Sequence, residues 1–291
     1  MSASSRRPFC AEVSAESDEP LGATASQVDQ WILLEYRGLW ARDPLRGSML
    51  DDAVKAHLQR LLAQSRSRLL FIRRPRSHHC GVFCYTALTS ERGAQVFVRE
   101  LERHDEIVGL DLFGADRGEP LGHPLFAVCT HGKRDRCCAR YGRPLYDAVA
   151  DQVDREWVWQ CTHIGGDRFA GNLICFPEGL YFGRVGLGDV WPLLDDYLAE
   201  RIHLKCYRGR CCYPFPVQAA EEVLRRAAGL TGIDDVTLVS VKESRVELEG
   251  PRGERYDIEV AEELGELTQL TCSSEGLSRP VRYSARLVGE A

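Results

Sequence analysis

A chain of 291 residues, 44% of them hydrophobic and 27% charged, has the composition of folded globular material, which excludes a disordered or fibrous protein and leads us to expect two or three compact domains. The formal net charge of -6, from 37 Lys and Arg against 43 Asp and Glu, lacks the basic footprint of a general nucleic-acid binder. Twelve cysteines, without a signal-peptide pattern or a run of ~20 apolar residues, set aside a disulfide framework and a membrane span, point to the cytoplasm, and turn attention to metal or redox chemistry.

The polar residues 1–25 are expected to be a mobile leader. Residues 48 to 63 put Leu50, Val54, Leu58, Leu61 and Leu62 on one helical face, with Ser48 as candidate cap and Asp51 and Asp52 in the first turn. Residues 68–75, ended by Pro75, and 94–101 read as strands, which gives an N-terminal α/β domain over 26–122. In the middle, over 123–204, a strand ends at Cys129 and a polar loop runs through Cys138. A helix is expected to start near Pro144, with Leu145, Ala148, Val149 and Val153 on one face. Strands follow over 156–161, 172–176 and 180–185, the last two joined by Pro177-Glu178-Gly179, and a closing helix carries Val190, Leu193, Leu194, Tyr197 and Leu198. This β-α-β-β-β-α order is close to a thioredoxin-type core. Residues 205–291 read as a small α+β module, with a helix over 216–228 and strands either side of the turn at 250–253.

The chemistry-bearing residues crowd into CTHGKRDRCC, 129–138, and CTHIGGDRF, 161–169, both at strand ends. Cys129 and Cys138 enclose eight residues, too wide for the C-x2-C knuckle of a zinc ribbon and better suited to an iron-sulfur loop. Lys133, Arg134, Arg136, Arg140 and Arg143 surround that loop, either to dock an acidic redox partner or as a solvated basic face. Elsewhere, Cys80 and Cys84 after His78 and His79, and Cys206 with Cys211 and Cys212, are weighed as a second site but read more simply as buried apolar residues, like Cys175. Cys10 and Cys272 have no partner pattern. Trp157 and Trp159 are read as packing, and His131 as a residue supporting a ligand.

Cys129-Thr130-His131-Gly132, Arg134-Asp135, Cys138, His163-Ile164-Gly165-Gly166, Arg168-Phe169-Ala170 and Pro177-Glu178-Gly179 together resemble the sucrase/ferredoxin-like family. The segments Trp31 to Glu35, Arg208-Gly209-Arg210 and Pro216 to Glu221 extend the resemblance over most of the chain. The resemblance implies a thioredoxin-like ferredoxin whose [2Fe-2S] cluster is held by two cysteines and a His-x3-His pair. Cys129, Cys138 and His163 match three of those positions, and the fourth falls on Asp167. Three residues compete for the fourth place: Cys137, vicinal to a ligand; Cys161, on the same strand face as His163; and Asp167 itself, the least soft of the three.

The function expected is single-electron transfer between a reductase and an acceptor, with a ferric chelate as one candidate substrate. No G-x-G-x-x-G fingerprint points to a nucleotide donor. A histidine ligand is expected to raise the reduction potential and to make it change between pH 6 and pH 9. The alternatives are a thiol-disulfide oxidoreductase built on Cys129 or Cys137-Cys138, although it lacks the usual C-x2-C, and a structural zinc module serving protein interaction. No paired carboxylates identify a glycosidase.

Overall fold

The run QWILLE is buried along nearly its whole length, as expected of a strand covered on both faces rather than of an amphipathic edge. The computed structural model, which describes residues 8–63, 66–75 and 80–290, builds two units of like connectivity around such runs. After a short helix α1 (Cys10–Glu16), the first unit comprises β1 (Gln30–Glu35), α2 (Asp52–Leu62), β2 (Ser67–Arg73), β3 (Val82–Leu88) and β4 (Gln95–Leu101), with a two-residue β5 (Glu119–Pro120) alongside. The second comprises β6 (Leu125–Cys129), α3 (Arg136–Ala150), β7 (Val158–Cys161), β8 (Leu173–Phe176), β9 (Leu180–Phe182) and α4 (Val190–Leu198), followed by β10 (Tyr207–Arg210).

In the first unit β1 is parallel to β2 and antiparallel to β3, and β3 is antiparallel to β4. In the second, β6 stands in the same relations to β7 and β8, and β8 to β9. The orders are therefore β2-β1-β3-β4 and β7-β6-β8-β9. The outer strands β2 and β7 pair antiparallel, Ile72 opposite Cys161 and Arg73 opposite Gln160, and fuse the units into one ten-stranded sheet. No break in that sheet falls at the expected boundary near residue 122. Each unit is longer than the 20 to 50 residues of common sequence repeats, so the duplication leaves no short-period pattern in the chain.

Strand alternation sorts the side chains into layers. Ile32 and Leu34 of β1 face α2 with Val54 and Leu58, and Phe126 and Val128 of β6 face α3 with Leu145 and Val149. The opposite parity, Trp31 and Leu33 with Leu125, Ala127 and Cys129, enters one core shared by both units. Trp31 on β1 meets Phe176 on β8 edge to face at 5.3 Å, although three strands separate β1 from β8 in the sheet. The sheet therefore folds back on itself, with Tyr85 against Trp159 at 5.7 Å adding a second aromatic contact, each worth about 1 kcal/mol beyond its area.

Several expectations need correction. Helix α2 starts at Asp52 with Asp51 as its N-cap, whereas Ser48 turns its hydroxyl to the Leu45 carbonyl. Helix α3 starts at Arg136 rather than near Pro144, because the Asp135 carboxylate accepts the Cys137 N–H at 2.8 Å and caps the helix one residue before it begins. Leu198 of α4 is half exposed. The leader is ordered over its described part. Cys10, Ala11 and Ser14 are buried, Tyr141 donates to Glu12 at 2.8 Å, Arg184 donates to the Ser14 hydroxyl at 2.7 Å, and Arg168 pairs with Glu19 at 2.9 Å. Part of its polar composition is thus taken up by partners on α3 and on the loops after β7 and β9. His78 and His79 lie outside the described residues.

The C-terminal part packs α5 (Phe215–Ala228) on an antiparallel sheet of β11 (Thr237–Lys242), β12 (Arg245–Glu249), β13 (Arg255–Leu264) and β14 (Val281–Glu290). Val217, Ala220 and Leu224 meet Val246, Leu248 and Ile258 in its core. A fully buried ion pair, Arg225 to Glu221 at 3.0 Å, ties α5 to the large sheet, because Glu221 also accepts the Tyr207 hydroxyl at 3.0 Å. Among the described residues no helix is long and apolar enough to cross a membrane.

Candidate metal centre

Because β6 and β7 are parallel neighbours with Cys129 opposite Cys161, the loops that leave them emerge side by side at one end of the sheet. The first loop turns tightly, with the His131 carbonyl accepting from Arg134 N at 3.0 Å and Asp135 N at 3.2 Å, and delivers the chain into α3. Successive helical residues point about 100° apart. Cys138 therefore faces Cys129, while Cys137 turns to the other side. Helix α3 can lie against the end of β6 only because residue 142 is glycine: a Cβ there would stand 1.9 Å from the Cys129 carbonyl oxygen.

The second loop is held by its carbonyls. Arg68 donates to the carbonyls of His163 at 2.7 Å and Ile164 at 3.1 Å, and buried Arg208 reaches Gly165 O at 3.1 Å and Asn172 Oδ1 at 2.9 Å. Asn172 donates to Gly166 O at 2.9 Å. Gly165 (φ 98°) and Gly166 (φ 75°) supply the left-handed backbone that returns Asp167 toward His163. His131 Nδ1 accepts the His163 N–H at 3.3 Å, and its Nε2–H donates to Ala41 O at 2.9 Å, so both ring nitrogens brace the loop from the first unit. His131 thus accepts from the backbone of His163 rather than donating to its ring.

The donor atoms of Cys129, Cys138 and His163 all lie within 4.8 Å of one another. Cys138 Sγ is 3.9 Å from His163 Nδ1, and Asp167 Oδ1 stands 3.0 Å from that nitrogen and 3.3 Å from Cys138 Sγ. Cys129 and Cys138 are each 1% exposed and the Asp167 side chain 4%, whereas the His163 side chain is 16% exposed and forms the solvent edge of the group. The hydrogen bond from Cys138 holds the Cys129 thiol well below its usual value, against burial and with help from His163. Cys138 is raised in turn, by Cys129 first and then by burial. Burial disfavours charged His163, yet its bonds to Asp167 and Cys129 carry it up to about 9. Burial likewise opposes ionised Asp167, but the His163 bond brings it below the ordinary carboxylate range. Two anions around an imidazolium are a set of donors ready to exchange a proton for a metal.

The other expected ligands lie elsewhere. Cys161, with a thiol raised by burial, sits within the shared core and does not join the group. Cys137 is 3.5 Å from Cys10 Sγ and 3.4 Å from Cys272 Sγ, a neighbourhood that sequence reasoning missed because the three are separated by at least 127 residues. Cys206, Cys211 and Cys212 belong to three different cores, Cys84 is buried on β3, Cys175 is core and Trp159 is fully buried. Of the loop cations, Arg136 and Arg140 stack on Phe9 at 5.0 and 4.8 Å. Arg68 was likewise missed, and Arg208 appeared only within a motif.

Fold and site define an α/β protein with a buried thiol and imidazole group at the ends of parallel strands. The sucrase/ferredoxin-like family profile matches residues 21–209, and the chain belongs to that family. It is 34% identical over 96 residues to the altered inheritance of mitochondria protein 32 of Meyerozyma guilliermondii, covering 29% of this chain and 34% of that one. To the protein of the same name from Debaryomyces hansenii it is 32% identical over 101 residues, 31% of this chain and 37% of that one. The chain thus spans about a third of the length of these curated relatives. Among solved structures it is similar to a thioredoxin-like [2Fe-2S] ferredoxin from Aquifex aeolicus, with a TM-score of 0.29 and 15% identity over 32% of this chain and 97% of that one.

Proposed function

We propose that this chain is an electron-transfer protein whose [2Fe-2S] cluster is held by Cys129, Cys138, His163 and, in the fourth place, Asp167. The observation that carries the reading is the convergence of Cys129, Cys138 and His163 from two adjacent loops, with Asp167 beside His163 and Cys138 at the position where the family resemblance places a second histidine. The donor set fits: two thiolates and an imidazole are the ligands iron-sulfur clusters take, and the neighbouring carboxylate is the nearest candidate for a fourth. When bound, the cluster supplies one-electron chemistry.

The chain's own residues set the conditions. His163, at the solvent edge, gives the shortest path to a partner, and it must surrender its proton before Nδ1 can ligate. Arg68, Arg208 and His131 fix the loop that carries it. The neighbouring strand order β7-β6-β8-β9, with β6 and β7 parallel, is that of a thioredoxin-type core, and it supports the placing of ligands at strand ends. Lys133 and Arg134, exposed on the first loop, suit an acidic partner protein, and we take the electron donor to be such a reductase.

The burial of Cys129 and Cys138 speaks against thiol-disulfide exchange, where an incoming sulfur must reach the thiolate in line. Anaerobic purification with iron and sulfide analysis and EPR tests the proposal. About two irons and two sulfides per chain, with averaged g-values that shift toward plant-type ferredoxins in His163→Cys, are expected. A colourless, iron-free protein after anaerobic reconstitution would overturn it.

A further inference from the structure

We propose a second, independent metal site in this chain: a structural zinc ion bound by Cys10, Cys137 and Cys272 with Asp135 as fourth ligand. The three sulfurs form a nearly equilateral triangle, Cys10 to Cys137 3.5 Å, Cys137 to Cys272 3.4 Å and Cys272 to Cys10 3.7 Å. A tetrahedral zinc with Zn–S bonds of about 2.3 Å separates its thiolates by about 3.8 Å, close to this triangle and far from the ~2.05 Å of a disulfide. A disulfide would join two of the sulfurs and leave the third over, whereas the spacing here is nearly the same for all three pairs.

The carboxylate is the second, independent observation. Asp135 is 3% exposed, its two oxygens lie 3.8 and 3.9 Å from Cys10 Sγ, and among the described residues no basic side chain pairs with it. Its Oδ1 accepts Cys137 N–H at 2.8 Å and its Oδ2 accepts Cys272 N–H at 2.6 Å, so each oxygen keeps a lone pair. Those two bonds aim the carboxylate at the sulfurs and join the backbones of two ligands. The carboxylate and the three sulfurs offer donor atoms that all lie within 4.8 Å of one another, a buried set that a cation would complete. Phe9 and Tyr141 pack against the group.

Zinc binding moves no electron: each of the three thiols releases one proton as its sulfur bonds the ion. The site ties together three distant parts of the chain, the N-terminal helix α1, the first turn of α3 and the loop between β13 and β14. It does not depend on the cluster proposed above, because Cys137 and Cys138 point about 100° apart on α3 and join separate groups of donors.

The test is zinc and iron per chain, by plasma mass spectrometry on the purified full chain after equilibration with zinc sulfate and dialysis. One zinc per chain is expected in the wild type and in Cys129→Ser, falling at least tenfold in both Cys10→Ser and Cys272→Ser. Should either serine variant fail to fold, cobalt added to Cys129→Ser decides the matter: the strong near-ultraviolet charge-transfer band of a tetrahedral thiolate site is expected. Absence of zinc from the wild type, loss of zinc in Cys129→Ser, a cobalt spectrum without thiolate charge transfer, or a thiol titration two short in the wild type would each overturn the proposal.

Discussion

Gly142→Ala tests whether the close approach of α3 to β6 builds the metal centre. By helix propensity alone, alanine in place of glycine in a helix interior stabilises by about 0.5–1 kcal/mol. Here the added Cβ would meet the Cys129 carbonyl oxygen at 1.9 Å, whereas ordinary contact begins at 3.4 Å, so the helix must retreat by about 1.5 Å. Overpacking of that kind costs about 1–3 kcal/mol, or a few degrees to some 10 °C in melting temperature for a protein of this size. Cys138 lies one turn before Gly142 and moves with it, and metal–ligand bonds tolerate only about 0.2 Å. The expected result is a lower melting temperature by circular dichroism together with iron content reduced at least fivefold, while Arg143→Ala, an exposed change on the same helix, alters neither. A Gly142→Ala protein that melts higher than wild type and keeps its iron would show that the contact has no part in the site.

Three further outcomes follow from the structure. Asp167→Ala should lose iron, while Asp167→His should retain it and raise the reduction potential by roughly 100 mV or more, because a neutral ligand replaces an anionic one; voltammetry on a protein film reads the difference, and an unchanged potential would remove Asp167 from the ligand set. Glu221→Gln should destabilise by about 3–5 kcal/mol in urea unfolding, since it strands buried Arg225. Arg208→Met should lower iron content with only a modest change in melting temperature, as the carbonyls of Thr24 and Gly165 lose their donor and the loop carrying His163 loosens; iron at the wild-type level would show that the loop holds without it.

The parts of the fold that sequence reveals are those set by neighbours in the chain. The run PLFAVC and the apolar face of α5 declare themselves because strand and helix periods are local. The start of α3 was misplaced because Pro144 is a strong local signal for a first helical turn, whereas the Asp135 cap that sets the true start is weaker and more easily overlooked. Cys129, Cys138 and His163 could be proposed together because their strands end side by side and the family resemblance singles out those three positions. The three candidates for the fourth place differ in side-chain direction, which spacing does not give: in a helix that begins eight residues early Cys137 turns to Cys10 and Cys272, whereas Asp167 lies beside His163 and Cys138. Cys10 and Cys272 meet only through tertiary packing, which no spacing records.

The antiparallel join between β2 and β7 has a further consequence. In either unit alone these would be outer strands with a row of unpaired N–H and C=O groups, the template on which proteins add foreign strands and aggregate. In the fused sheet Ile72 and Arg73 of β2 pair with Cys161 and Gln160 of β7, so part of each edge is covered. At the far ends of the sheet lie β5, two residues long and containing Pro120, and β10, whose register shifts around Gly209. Both are poor templates. A fragment of residues 123–204 alone would therefore bare β7 and half of the shared core at once, and should self-associate through that strand rather than stand as a soluble one-unit ferredoxin.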